Sequence, residues 1–229
     1  MSAILDRHMI WKELLININW QISNKCEIRP LQIRKANNIS IILDLACSLE
    51  GYLNDVLIQF IERGFLDRNF PKTRTNLEKN LIVQFKNNLR KSTWKDYNSH
   101  YQTITQRKLS ELDLINWKEI LKLFELRNLI SHSETIEILT HLPDESRDSK
   151  IEIKNRESLI LWLRDEIKVI PKINLENRFE FNFFNDDLIK KLFEIVESFI
   201  NVLRKDILKH YDIDIFKKVG KYQLEKSGL

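Results

Sequence analysis

An arginine and a histidine in the stretch FELRNLISHS, residues 124–133, are the side chains best suited to chemistry. The guanidinium of Arg127 is permanently charged and can donate paired hydrogen bonds to a phosphate. Imidazole, the side chain of His132, gains and loses a proton near neutral pH. Charge stabilisation and proton transfer are both common tasks in catalysis, so Arg127 and His132 are candidate site residues.

A helical projection of residues 117–132 separates an apolar arc from a polar stripe. At about 100° per residue, Asn128 and His132 lie on the polar stripe, whereas Arg127 lies in the middle of the apolar arc. Burying a guanidinium without a partner costs several kcal/mol. We therefore expect an anion near Arg127.

The long helix predicted over residues 31–63 offers that anion, because Glu50 falls within its apolar arc. Two apolar faces that each contain one opposite charge are explained most simply if they pack together. We predict that Glu50 pairs with Arg127. The alternative is that each charge reaches solvent by snorkelling at a helix end.

Arg127 and His132 are five residues apart, which limits how they can share a target. Five residues of a regular helix rotate by about 500°, so the two side chains diverge by about 140°. Either the helix ends between them, or two copies of the motif meet across a symmetric interface.

The composition indicates a mainly all-α chain that forms one domain over residues 1–229. Only four Gly and four Pro punctuate 229 residues, of which 43% are hydrophobic. The net charge of +4 permits a phosphate-rich partner without requiring one. Two cysteines without metal-ligand spacing favour a reducing, cytoplasmic location. No apolar run reaches the roughly 18 residues of a membrane span.

Helical periodicity predicts the elements that position the motif. Helices are expected near residues 9–21, 31–63, 76–91 and 94–104, followed by a motif helix that begins at a capping box, SELD, at Ser110–Asp113. Asp186 or Asp187 is expected to cap a final helix. Its buried stripe contains Leu188, Leu192, Val196, Phe199, Leu203 and Ile207.

The pattern changes after the motif, and residues 134–184 are expected to form an insertion. KIEIK and RFEFNF alternate with a period of two, which predicts two short strands, and RESLILWLRDEIKV between them predicts a helix. The helical core then comprises residues 31–133 and 186–210, and the insertion is a small α+β element.

The segment LRNLISH, preceded by an apolar helix that contains SLEGYLNDVL, resembles the HEPN superfamily (higher eukaryotes and prokaryotes nucleotide-binding). The motif of that family is an arginine, commonly followed by asparagine, a spacer and then histidine. The match covers about residues 31–132 and the last helix, and residues 134–184 lie outside it. The resemblance implies an antiparallel helical bundle.

The resemblance also implies a function, that of a metal-independent endoribonuclease or toxin of bacterial conflict systems. It would act as a homodimer whose two motifs form one cleft, cleaving RNA through attack of a 2′-hydroxyl, with no cofactor. Arg127 and His132 would be catalytic, and Asn128 would orient or contact the scissile phosphate.

Other positions carry weaker implications. Glu50 matches a polar position with a supporting role, and Lys118 and Lys122 are expected to bind the RNA substrate. Toxins of the family that pair with a nucleotidyltransferase antitoxin commonly carry a tyrosine two positions after the histidine, where this chain has Glu134. We therefore do not expect an antitoxin that modifies this position. We expect either a different inhibitor protein or no inhibitor.

Two other classes of function remain open on the sequence. A catalytically silent HEPN module could bind RNA, nucleotide or a protein partner. A structural dimerisation domain could use Arg127 and Glu50 only to fix packing, with His132 as a cation that favours a helix C-terminus. The stretch KNNLRKSTWKDY mixes bases with aromatic residues, but Trp94 and Tyr97 share a helical face, which favours core packing over RNA contact.

Overall fold

The fold, given by a computed structural model, is mainly α-helical, as the composition predicts. The structure describes residues 10–24, 30–64, 75–89, 91–134, 138–141, 150–153, 156–166 and 184–211. The helices are α1 (Ile10–Ser23), α2 (Leu31–Gly64), α3 (Asn76–Leu89), α4 (Trp94–Thr105), α5 (Leu109–Leu112), α6 (Leu114–Ser131), α7 (Glu157–Leu161) and α8 (Asp186–Tyr211). Helix α7 continues into a π-helical turn, Trp162–Glu166. None of the helices described in these ranges is both long and apolar enough to cross a membrane.

The motif helix begins later than the sequence predicts. Ser110 lies inside the short helix α5, so the capping box at Ser110–Asp113 is wrong. Instead, the Asp113 carboxylate accepts a hydrogen bond from the backbone N–H of Asn116 at 3.1 Å, which caps α6.

The last helix is also capped by a different residue. The Asn185 side chain accepts the backbone N–H of Leu188 at 2.9 Å, so neither Asp186 nor Asp187 is the cap. The Asp186 carboxylate instead accepts hydrogen bonds from Arg34 at 2.7 Å and from Asn38 at 2.8 Å. Asp186 is therefore engaged with the start of α2.

Two short strands, β1 (Ile138–His141) and β2 (Lys150–Ile153), pair antiparallel, with Ile138 opposite Ile153. Strand β2 falls on the alternating stretch KIEIK, and α7 with its π-helical turn falls on the predicted helix. The second alternating stretch, RFEFNF, lies outside the described residues. The small α+β insertion is therefore not confirmed as predicted.

The Cα positions divide the chain into two compact units. Unit 1 comprises Met1–Glu13, Cys47–Lys118 and Val196–Leu229, and unit 2 comprises Leu14–Ala46 and Glu119–Ile195. Each is built from parts of α2, α6 and α8. The single domain over residues 1–229 stays a prediction.

Aromatic residues fill the core of unit 1. Trp117 stacks on Trp94 with ring centroids 5.3 Å apart and lies 6.2 Å from Phe199. Trp94, Tyr97 and Tyr101 are all buried. These contacts agree with the core-packing interpretation of KNNLRKSTWKDY.

A close approach within unit 1 depends on Gly51, which lies next to Glu50 on α2. A Cβ at Gly51 would lie 2.9 Å from Cβ of Trp11, closer than such atoms pack. The absent side chain lets Trp11 lie against α2, where its indole N–H donates to Asp55 at 2.6 Å. The start of α1 is thereby fixed to α2.

Unit 2 has an aliphatic core drawn from the described helices. Its fully buried side chains include Ile18, Ile41, Leu45, Ile120, Leu123, Leu159, Leu163, Leu188 and Leu192. The predicted stripe of α8 is confirmed at all six positions, in both units.

Candidate functional site

The hydrogen-bond ladder of α6 continues to His132, whose backbone N–H donates to the Asn128 carbonyl at 3.0 Å. The five steps from Arg127 to His132 therefore keep their helical rotation, and the two side chains diverge. An early end of the helix does not bring them together. The sequence left two arrangements open, an early helix end and a symmetric interface between two copies of the motif. The interface between two copies stays a prediction.

The chain leaves α6 through a tight left-handed turn. Ser133 has φ of 50°, and its N–H donates to the Ile130 carbonyl at 3.1 Å. The N–H of Glu134 donates to the Leu129 carbonyl at 3.0 Å. This pair of bonds is a Schellman motif, which places His132 at the C-cap and fixes the backbone of Glu134 over the last turn of α6.

Arg127 is half-buried, so its predicted enclosure in the apolar arc is wrong. Leu123, one turn earlier on the same face, is buried, whereas Ser131, one turn later, is exposed. Arg127 thus lies where the covered face of α6 ends. Its Nη1 donates to the Asn128 side-chain oxygen at 3.0 Å.

Glu50 is also half-buried rather than inside the core. The buried arc of α2 is displaced from the predicted one: Tyr52 and Val56 are buried, whereas Leu43 and Ile61 are only half-buried. Glu50 consequently lies at the edge of the buried arc, rotated by about 100° around the helix axis from the buried residue that precedes it in the chain.

Glu50 acts on Tyr97, which belongs to the same unit. Burial and, to a smaller extent, the negative charge of Glu50 raise the pKa of Tyr97 to about 12. The hydrogen bond from Tyr97 to Asn54 acts in the opposite direction. Glu50 belongs to unit 1 and Arg127 to unit 2. The pairing of Glu50 with Arg127 stays a prediction.

The two lysines assigned to substrate binding differ in their surroundings. Lys118 is exposed. The side chain of Lys122 is only 20% exposed, and its ammonium donates to the Glu125 carboxylate at 2.7 Å and to the Ser158 hydroxyl at 2.6 Å. RNA binding by Lys122 would have to compete with both contacts, so Lys118 is the better placed of the two.

Helix α7, its π-helical turn and the residue before it contact α6 and the turn that follows α6 through three side-chain pairs. Trp162 Nε1 donates to Glu119 at 2.7 Å, Lys122 donates to Ser158 at 2.6 Å, and Arg156 donates to Glu134 at 2.6 Å. Leu159, Ile160 and Leu163 are buried. Asn128 and His132 are exposed.

Arg156, directly before α7, forms a paired contact with Glu134. Its Nε donates to one carboxylate oxygen at 2.9 Å and its Nη2 to the other at 2.6 Å. This bonding lowers the pKa of Glu134, with smaller contributions from the charges of Arg156 and His132, against the effect of desolvation. The same bonding raises the pKa of Arg156, to which the charges of Glu134 and Glu125 add, against desolvation.

Arg156 and Ser158 are contributors that the sequence reasoning missed. Arg156 lies 22 residues from its partner, and nothing in the spacing of the chain links the two. Arg156 also has φ of 55°, a left-handed conformation that is uncommon outside glycine and that clusters at functional sites.

No group of three His, Cys, Asp or Glu that could hold a metal ion is found within the described ranges. Comparisons with protein-family models, curated proteins and solved structures found no match for this chain. The argument for function therefore depends on the chemistry at the end of α6.

Proposed function

We propose that the protein is a cytoplasmic endoribonuclease of the HEPN type, which cleaves RNA at a composite site formed by two copies of the motif. The observation that carries the proposal is the end of α6, where Arg127 is bonded to Asn128 and His132 stands exposed at the C-cap. Asn128 and His132 are exposed, and Arg127 is half-buried beside Asn128. The end of α6 therefore brings together residue types that RNA cleavage could use.

These groups match the needs of RNA transesterification. The 2′-oxygen attacks the adjacent phosphorus and the bond from phosphorus to the 5′-oxygen breaks, giving a 2′,3′-cyclic phosphate and a 5′-hydroxyl. One imidazole accepts the 2′-hydroxyl proton, and a second, protonated imidazole donates a proton to the leaving 5′-oxygen. The Arg127 guanidinium stabilises the charge that builds on the phosphoryl oxygens, and Asn128 donates a hydrogen bond to them.

Two copies are proposed because one chain supplies only one histidine to this reaction. Within one helix the Arg127 and His132 side chains diverge, so neither chain alone points both at one phosphate. A twofold axis beside the two helix ends would place the arginine of each copy across from the histidine of the other. An inhibitor protein, where one exists, would act by covering this cleft.

The direct test is an RNA cleavage assay in EDTA, with the wild-type protein beside His132→Ala and Arg127→Ala. We expect cleavage to persist under chelation and each variant to lose at least about 100-fold in rate. His100→Ala and Arg164→Ala are matched controls, because they remove the same side-chain types elsewhere. Mass spectrometry of the products should show cyclic phosphate ends.

Two results would contradict the proposal. If the His132→Ala variant cleaves as fast as wild type while remaining dimeric and folded, the histidine is not catalytic. If the wild-type protein binds RNA with full strength but never cleaves it, a silent RNA-binding module describes the chain better. If a strictly monomeric protein cleaves RNA, the composite site is wrong but the proposed ribonuclease activity stands.

A further inference from the structure

Helix α3, which belongs to unit 1, is held in place through one face. On that face Ile82 and Leu89 are buried and Phe85 is half-buried. The Phe85 ring makes an edge-to-face contact with the ring of His100 on α4, with centroids 5.5 Å apart. The Ser92 hydroxyl, just after the helix, lies 2.8 Å from Nε2 of the same histidine. These contacts anchor α3 to α4 and determine which side of α3 is left to solvent.

The opposite side of α3 is exposed and carries no charged residue. At about 100° per residue, eight positions fall on an arc of about 160°. All eight are exposed, and they comprise three aliphatic residues and five amides: Leu77, Leu81, Val83, Asn76, Asn80, Gln84, Asn87 and Asn88. The aliphatic side chains of Leu77, Val83 and Leu81 are 68%, 56% and 44% exposed. With 31% charged residues in the chain, eight positions would carry about two or three charges on average. We call these eight residues the α3 amide face.

The lack of charge narrows what can cover the α3 amide face. Nucleic acid is bound chiefly through cations that contact its phosphates, and Lys79 and Lys86 lie at least about 40° outside the arc. A strongly charged protein partner would require complementary charges on this face. Aliphatic and amide side chains without charge instead resemble the core of a protein–protein interface, which is depleted of charged residues. The face therefore fits an uncharged protein surface.

One uncharged surface that fits is the same face of a second copy. A side-chain amide both donates and accepts hydrogen bonds, so it can pair with an identical amide, whereas a charged group repels its own copy. A twofold axis sets one patch against itself, which requires this kind of self-complementarity. Leu77 and Leu81, one turn apart, supply the apolar contact that such a pairing needs.

We propose that the α3 amide face is an interface between two copies of this chain in solution, with their α3 helices packed against each other across a twofold axis. The inference stands apart from the proposed function, because it concerns association and not RNA cleavage. The 14 residues of α3 extend over about 21 Å. This is small beside the roughly 800 Å² per partner of a standard interface, so we expect a dimer that dissociates in the micromolar range.

The test places a charge in the α3 amide face. Leu81→Lys puts two cations into one uncharged interface, and sedimentation equilibrium should show its dissociation constant raised at least about tenfold over wild type. Leu114→Lys is the matched control, because Leu114 is 58% exposed and lies outside α3, and its dissociation constant should stay within about twofold of wild type. Circular dichroism should give both variants the melting temperature of the wild-type protein, since both leucines are exposed.

A second readout needs no substitution in α3. The side-chain amide NMR signals of Asn80 and Gln84 should shift as the concentration of wild-type protein rises through the range in which it dimerises, while that of Asn17, an exposed amide on α1, should not.

Three results would overturn the inference: a wild-type protein that stays monomeric, a Leu81→Lys variant that associates as tightly as wild type, or an equal loss of association in Leu114→Lys. None of them bears on RNA cleavage by wild type, which tests the proposed function separately. Conversely, a wild-type protein that dimerises through α3 but cleaves no RNA removes the proposed function and leaves this interface intact.

Discussion

Two arginine–carboxylate pairs of the chain differ in how far their carboxylates are buried. In unit 1, Asp206 pairs with Arg107 and accepts a hydrogen bond from the Tyr101 hydroxyl at 3.1 Å, and its side chain is only 10% exposed. In unit 2, Glu134 pairs with Arg156, and about a third of each side chain is exposed, 33% and 31%. Arg107 is itself 40% exposed, so the two pairs differ in the burial of their carboxylates and not of their guanidinium groups. Water therefore screens the Glu134 carboxylate more than the Asp206 carboxylate.

The comparison teaches that the burial of the carboxylate, rather than the presence of an ion pair, decides how much such a pair stabilises the fold. A carboxylate that holds two buried or partly buried donors cannot be removed without leaving them unsatisfied. A carboxylate open to water contributes little to stability. We therefore expect a larger loss of stability when Asp206 is removed than when Glu134 is removed.

The largest stability effect is expected at Asp206, the more buried of the two carboxylates. Asp206→Ala removes the acceptor of both Arg107 and Tyr101 and should lower the free energy of unfolding by about 2–3 kcal/mol. Urea denaturation followed by circular dichroism measures the loss. Glu194→Ala, at an exposed position of the same helix, is the control and should stay within about 0.5 kcal/mol of wild type. Equal losses in the two variants would break the comparison.

An intermediate effect is expected where α7 and its turn pack on α6. Trp162→Phe keeps an aromatic ring but removes the N–H that donates to Glu119 at 2.7 Å, which should cost about 1 kcal/mol in urea denaturation. Trp20→Phe is the control, because Trp20 is 63% exposed. If Trp162→Phe is as stable as Trp20→Phe, the hydrogen bond from Trp162 to Glu119 does not hold the segment in solution.

The helices follow from the sequence because periodicity is a local property. The stripe of α8 from Leu188 to Ile207 was predictable at each position, since one buried face imposes one spacing. The ends of helices were less predictable. Asn185 and Asp186 both have side chains that can cap, and the choice between them was decided by Arg34 and Asn38, which are distant in sequence.

The candidate site was predictable in its residue types but not in its surroundings. A helical projection shows which face Arg127 occupies but not where the covering of that face stops, so its burial was overestimated. Arg156 follows Glu134 by 22 residues, and their pairing depends on the path by which the chain comes back to α6, which no local pattern encodes. The same segment also covers Lys122.

The smallest effect, and the sharpest test of the comparison, is the pH dependence of the exposed pair. Bonding to Arg156 lowers the pKa of Glu134 below its ordinary value of 4.5, so the folded protein favours the ionised carboxylate. The pair therefore stabilises the fold above pH 4.5, and this contribution is lost as the pH falls through the lowered pKa. Thermal unfolding from pH 3 to pH 7, taken as about the range over which a glutamate titrates, should show wild type slightly more stable than Glu134→Gln only at the upper end. In an Arg156→Gln background the same substitution should have a much smaller effect, because the main partner that lowers the pKa of Glu134 is gone and only the lesser contribution of His132 is left. A stability difference that persists unchanged at the acidic end would mean that Glu134 acts through packing rather than charge, and the contrast with Asp206 would then lose its electrostatic basis.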